Sequence, residues 1–312
     1  MLHVRAVSPA GLSARVVARL TADPGVANLV VQPGAAKRPD GDAISFDVHN
    51  GAANPVLREL RGFGLDEDGS ITITQLDAAL SAPDRRTRQR AGKDRRIGIL
   101  RPESAPVWEL VTSRIEAGAQ YAPSFYVLLT LAGLIGAVGI LTNSLVLIVG
   151  AMVVGPEYSA IIAVALGLAR RDRHGAGAGA GALAAGFGLT IAATLAFGLV
   201  VRATGRTPVA FSHGVRPVAD FIYSPDGFSV IVAVLAGIVG VVSLTEARAS
   251  TLIGVFISVT TIPAAASIGI SIAYALWDEA GGSALQLLLN VVVLVAVGYA
   301  GLVAQRRIWR RT

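Results

Sequence analysis

LVLIVGAMVVGPEYSAIIAVALGL, residues Leu145–Leu168, decides the fold. The stretch exceeds the roughly 20 apolar residues that a helix needs to cross a bilayer. Yet Gly155-Pro156 stands at its centre. Proline removes a backbone donor and disrupts the preceding turn, and glycine loosens it further. In lipid the freed backbone groups must be satisfied by protein, water or solute. Directly after the break comes Glu157, the only charged residue between Tyr121 and Ala169. A carboxylate inside a membrane is costly unless paired, hydrated or protonated, which makes it a functional-site candidate. The plainer alternative is a neutral Glu157 that only hydrogen-bonds a neighbouring helix.

Five further apolar runs flank this one: Phe125–Leu141, Gly175–Val201, Phe228–Val242, Leu252–Leu276 and Ala284–Val303. They predict six transmembrane helices. Basic clusters at residues 84–96, at Arg170–Arg173 and at Arg306–Arg311 fall on one side of such a bundle. The positive-inside rule then places both termini in the cytoplasm, in a multi-pass protein of a prokaryotic inner membrane. Asp278 and Glu279 fall in the short outer loop after the fifth run. The longest outer loop, Arg202–Gly227, carries Arg202, Arg206 and Arg216, which weakens the asymmetry without reversing it.

The second half of this region echoes the first. AGLIGAVGILTNS at Ala132–Ser144 matches AGIVGVVSLTEAR at Ala236–Arg248, 104 positions later. At the same offset, Gly150 aligns with Gly254. Each second run of a triplet carries a mid-membrane proline, Pro156 and then Pro263. An odd number of spans per copy forces the copies into opposite orientation, the inverted 3+3 arrangement of secondary transporters, with two broken helices. Such proteins hold their solute between the breaks. The candidate binding residues are therefore Gly155, Pro156, Glu157 and Ser159 at one break and Thr260, Thr261 and Pro263 at the other. Asn290, a lone polar residue in the sixth run, serves either solute contact or helix packing. The GAGAGAGA of Gly175–Ala182 follows no strand and lacks GxGxxG spacing, so it reads as a close-packing helix face rather than a nucleotide loop.

The remainder is polar. With 15% charged residues and a mean hydropathy of +0.60 over 312 residues, the chain is too apolar to be wholly soluble. Soluble domains carry roughly a quarter charged residues. Residues 1–120, however, hold 16 of the 27 Lys+Arg and 14 of the 21 Asp+Glu. Within residues 1–80, strand patterns at Leu2–Val7, Ala27–Gln32, Ala43–Val48 and Ser70–Gln75 alternate with helical patterns at Leu12–Leu20 and Asn54–Phe63. The order βαββαβ is that of a ferredoxin-like α+β domain, expected on the cytoplasmic side. Residues 81–120 read as a basic linker and an interfacial amphipathic helix with Trp108, Val111 and Ile115 on one face. Residues 121–312 form the six-span domain.

Cysteine is absent and the four histidines are scattered, so no metal ligand set is visible. No nucleophile–base pair, paired acid or GxxxxGK[ST] loop is present either, and neither enzyme chemistry nor a cofactor is expected. The net charge of +6 belongs to cytoplasmic flanks, with membrane lipid and not nucleic acid as the partner.

Two segments carry a family resemblance: GAQYAPSFYVLLTLAGLIGAVGILTNSLVLIVGAMVVGPEYSAIIAVALGLARRD, Gly118–Asp172, and GVFISVTTIPAAASIGI, Gly254–Ile270. They resemble the hydrophobic membrane proteins grouped as domain of unknown function 389, with their "IGAM…P…GPI" and "GVAIA…PP" segments. This chain has Ser159-Ala160 where many members have Gly-Pro, and Pro263-Ala264 where many have Pro-Pro. The resemblance implies a six-span bacterial membrane protein with a soluble extension. The residues themselves favour a secondary transporter or solute-binding channel for a small polar solute, as a homo-oligomer. The rival from another class is a membrane-anchored sensor or assembly scaffold whose soluble domain binds a ligand or partner.

Overall fold

The computed structural model describes residues 1–76, 108–213, 222–223, 226–245 and 261–310. The basic linker 84–96, Thr260 with the first part of the fifth apolar run, and outer-loop residues 216–220 and 224–225 lie outside the described residues. The chain divides into two compact units, Met1–Val111 and Thr112–Arg311.

In the first unit the order is β1 (Leu2–Ser8), α1 (Ala10–Ala22), β2 (Val26–Lys37), β3 (Asp40–Val48), α2 (Asn50–Gly62) and β4 (Ser70–Gln75). The strands form one antiparallel sheet in the order β2-β3-β1-β4. Leu2, Val4 and Ala6 lie opposite Val48, Phe46 and Ile44. The two-residue period therefore presents one apolar face, and Val16 and Leu20 of α1 and Val56, Leu57 and Leu60 of α2 bury it. One expectation needs correction. The Pro33–Gly41 stretch, which the expected strands Ala27–Gln32 and Ala43–Val48 leave between them as a loop, is mostly strand, because β2 runs on to Lys37. A register shift between Gln32 and Ala36 absorbs Pro33 and Gly34 as a bulge. The Asp42 carboxylate accepts the Gly34 N–H at 2.7 Å and holds that bulge in place.

The second unit is helical. A helix α3 (Trp108–Gly118) leads into α4 (Pro123–Leu141), α5 (Leu145–Val154), α6 (Glu157–Arg170) and α7 (Arg173–Ala203). After a short α8 (Val209–Ser212) come α9 (Gly227–Thr245), α10 (Ile262–Ala273) and α11 (Trp277–Arg310). Helix α3 spans the boundary of the two units, and its Val111 and Ile115 are buried. The later part of α3 is clamped along α6. Arg170 donates to the Glu116 carboxylate and the Thr112 hydroxyl at 2.8 and 2.9 Å, and Gly118 packs by Ser159.

Three helices, α4, α7 and residues 277–307 of α11, are long and apolar enough to cross a membrane. A fourth span arises if α5 and α6, bent by 50° at Gly155-Pro156, count as one. Helices α9 and α10 are shorter apolar segments. The α10 sequence, IPAAASIGISIA, is small and apolar on every side, which suits a helix buried all round. Eleven of its twelve residues are buried, all but Ile272, and it packs on α4, α7 and α11. Lipid supplies no hydrophobic drive between helices, so close approach over small residues carries the packing. A side chain on Gly269 of α10 would run into Thr194 and the Ile191 carbonyl of α7.

Directions follow from such contacts. Helix α6 turns back on α7, with Gly167 by Ala176 and Gly179 by Val164. Helix α7 runs alongside α10, with Thr194 at Gly269 and Gly198 at Ala273. Helix α10 turns back on α11, with the Ser283 hydroxyl donating to Ser267 at 2.8 Å. Thus α6 and α11 run the same way, while α6 and α10 run oppositely.

Candidate functional site

The two oppositely running helices α6 and α10 begin at the same place. Pro156 is the N-cap of α6 and Thr261 that of α10, with Pro263 in the first turn, where its missing N–H costs nothing. Glu157 occupies the first position of α6 and is fully buried. Its Oε1 accepts the Thr261 hydroxyl at 2.8 Å, while its Oε2 is buried without a hydrogen-bond partner. Gly155 makes this junction possible. A Cβ there would overlap both Ile262 Cδ1 and the Glu157 carboxylate.

Helix N-termini carry unsatisfied N–H groups and the positive end of the helix dipole, each favouring negative charge by about 0.3–1 kcal/mol, more when partly buried. Two such ends flank the carboxylate. They offset part of the cost of burying it and suit the site to a ligand with oxygen lone pairs.

The remaining candidates are placed differently. The Ser159 hydroxyl turns back onto the Pro156 carbonyl at 2.8 Å. Asn290 is fully buried and accepts from Gln286 Nε2 at 3.3 Å. It stands at the height of Glu157: Gly298 of α11 packs on Ala165 of α6, and both helices then climb eight residues, to Asn290 and to Glu157, at about 1.5 Å each. Thr260 lies outside the described residues. Sequence reading offers only the backbone of Ile262, whose side chain fills the gap over Gly155, and misses the serines and glutamine near Asn290. The spacing of Ser283, Gln286 and Asn290, three and four residues apart on one helix face, is the signal that exposes the latter.

Among the described residues, no group of three His, Asp or Glu side chains is placed to hold a metal ion. A groove of about 540 Å³ is lined by Leu168, Val291, Val292, Val295, Ala296 and Tyr299. These are apolar apart from one phenol, which is the wrong lining for a polar solute.

Apolar helices of this length, one of them broken around a buried carboxylate, define a helical membrane protein. Residues 152–296 match the sequence model of the family described as Domain of unknown function (DUF389), the same family that the motifs resemble. The match contains Gly155, Glu157, Thr261, Pro263 and Asn290. No curated protein and no solved structure matches the chain.

Proposed function

We propose that the chain is a secondary transporter, or a solute-binding channel, for a small polar solute held where α6 and α10 begin. The observation that carries this reading is Glu157, fully buried between two helix N-termini with one carboxylate oxygen unpartnered. A purely structural acid would have both oxygens satisfied, since each buried unpaired group costs about 1–3 kcal/mol or more when charged. Glu157 acts as the coupling or ligand-binding carboxylate. Thr261, Thr260 and the backbone at Gly155 and Ile262 supply hydrogen bonds.

An inverted repeat of two three-span halves is part of the proposal, and several contacts support it. Glu157 and Thr261, which bond to each other, are 104 positions apart. That is the offset of the sequence repeat, and equivalent residues touch where a two-fold axis passes between them. Contacts away from the axis come in exchanged pairs. Ala165 meets Gly298, and its counterpart Gly269 meets Thr194, the counterpart of Gly298. Likewise α4 packs on α7 as α9 packs on α11. The six apolar runs then make six spans, with both termini cytoplasmic in a prokaryotic inner membrane, and with lipid and further copies of the chain as partners.

The test is uptake of a broad panel of small polar solutes into proteoliposomes, beside the Glu157→Gln variant. Flux in the wild type and its loss in a folded variant are expected. No flux for any solute would remove the transport reading and leave the sensor or scaffold in its place.

A further inference from the structure

The α6/α7 seam and the α10/α11 seam correspond, position by position, in the two halves of the repeat proposed above, on which this comparison rests. Their chemistry differs at several corresponding sites. Ala163 and Gly167 of α6 and Gly179, Ala182 and Gly186 of α7 have Ser267, Ser271, Ser283, Gln286 and Asn290 as counterparts, Gly186 packing on Phe125 and Leu129 of α4. All five of these polar residues are 2% exposed or less.

Interhelical hydrogen bonding is the ordinary explanation for buried serine and asparagine in a membrane bundle. Two observations exceed it. The first seam closes over small residues without them: Gly179 sits against Val164, the Ala160 carbonyl and the Tyr121 hydroxyl, which is buried without a partner, and Gly167 sits against Ala176. The second seam, in turn, is not saturated. Gln286 gives its amide nitrogen to Asn290, but its carbonyl oxygen is buried without a partner. A buried polar side-chain atom left open among other polar groups is the ordinary setting of a bound water.

The polar groups also form a file. Asn290 lies at the height of Glu157, Gln286 one turn further along α11, then the Ser283–Ser267 pair, and then Ser271 one turn along α10. Next comes Tyr274, whose hydroxyl shares a 2.7 Å hydrogen bond with Thr207. Beside it, Arg202 donates to the Ala273 carbonyl at 2.7 Å. Successive groups are three or four helical residues apart, about 4.5–6 Å of rise, a gap that one bridging water spans.

We infer that the α10/α11 seam holds a file of ordered water that connects the level of Glu157 to the Tyr274 end of the bundle, while the α6/α7 seam, where the Tyr121 hydroxyl stands isolated among small residues, holds no such file. The repeat is thus symmetric in backbone and one-sided in hydration. Glu157 exchanges with water from the Tyr274 end, and the other end is sealed by glycine and alanine.

The chain has no cysteine, so single replacements report cleanly. Ser267→Cys, Ser271→Cys and Ala163→Cys are made in the full chain, reconstituted in lipid nanodiscs. Each is reacted with the water-soluble thiol reagent 2-aminoethyl methanethiosulfonate, with unchanged thermal melting as the check on folding. Ser283→Cys replaces any serine variant that melts early. Static burial favours Ala163, which is 8% exposed against 1% for Ser267. Reaction at Ser267 several-fold faster than at Ala163, and at Ser271 at least as fast as at Ser267, is expected. Equal rates at Ser267 and Ala163, or no reaction at Ser267, overturn the water file, and slower reaction at Ser271 than at Ser267 overturns access from the Tyr274 end. Labelling needs no transport, so absent flux with this contrast intact removes only the transport reading. Flux with equal labelling removes only the water file.

Discussion

Glu157 is held by one oxygen and open at the other, and that imbalance sets what its variants do. Glu157→Gln keeps the acceptor for Thr261 and the volume, so the folded protein is expected to survive while solute coupling is lost. Thr261→Val removes the one side-chain hydrogen bond that the carboxylate accepts, which should cost about 1–3 kcal/mol, read as a lower melting temperature. Gly155→Ala drives a methyl into Ile262 and the carboxylate. A loss of about 1–3 kcal/mol is expected, partly restored by adding Ile262→Val, whereas Gly177→Ala, with nothing near its Cβ site, should be neutral. A melting curve for Gly155→Ala that overlays the wild type would contradict the junction described. Glu157 itself was legible in the sequence as a lone charge beside a proline. Its partner was legible only as a residue type, because nothing local in a chain states which of several hydroxyls will lie opposite a carboxylate 104 positions away.

At the scale of elements, caps and turns do the local work. The Asp172 carboxylate accepts the His174 and Gly175 N–H groups at 3.0 and 3.1 Å and starts α7 sharply after α6. Asp172→Ala should cost about 1 kcal/mol of stability. In the β2–β3 hairpin, the Ser13 hydroxyl and the Gly34 amide hold the Asp42 carboxyl below the usual aspartate range. A group depressed in the folded state stabilises above its unfolded value, about 3.9, and that contribution is lost as pH falls through the folded value. Asp42→Asn is therefore expected to lower the melting temperature of the first unit at neutral pH, with the difference from wild type shrinking in acid. An unchanged difference across pH would remove the charge from the account. Strands β1 and β3 were readable because their alternation is strict. The far half of β2 was not, since Pro33-Gly34 has the composition of a turn and only pairing with β3 makes it a bulge. Helix α10 was readable as an apolar run but not as a helix buried on every side, because periodicity vanishes when all faces are covered.

For the whole molecule, the proposed topology puts Arg173 inside and Asp278 outside. Single cysteines at these exposed positions should divide accordingly: Asp278→Cys labelled by an impermeant reagent in intact cells, and Arg173→Cys labelled only after lysis. The reverse pattern would invert the bundle. The sequence by itself determined the division into a polar unit and an apolar one, the break at Gly155-Pro156, the isolated charge at Glu157 and the offset of the internal repeat. These are properties of composition and local backbone chemistry, which act within a few residues. Only the tertiary structure decided that α6 and α10 begin at one point, that Thr261 takes one carboxylate oxygen and leaves the other, and that Ser267 on α10 meets Ser283 on α11. Such pairings depend on how helices approach one another in lipid, where no hydrophobic drive selects a partner and the fit of small side chains does.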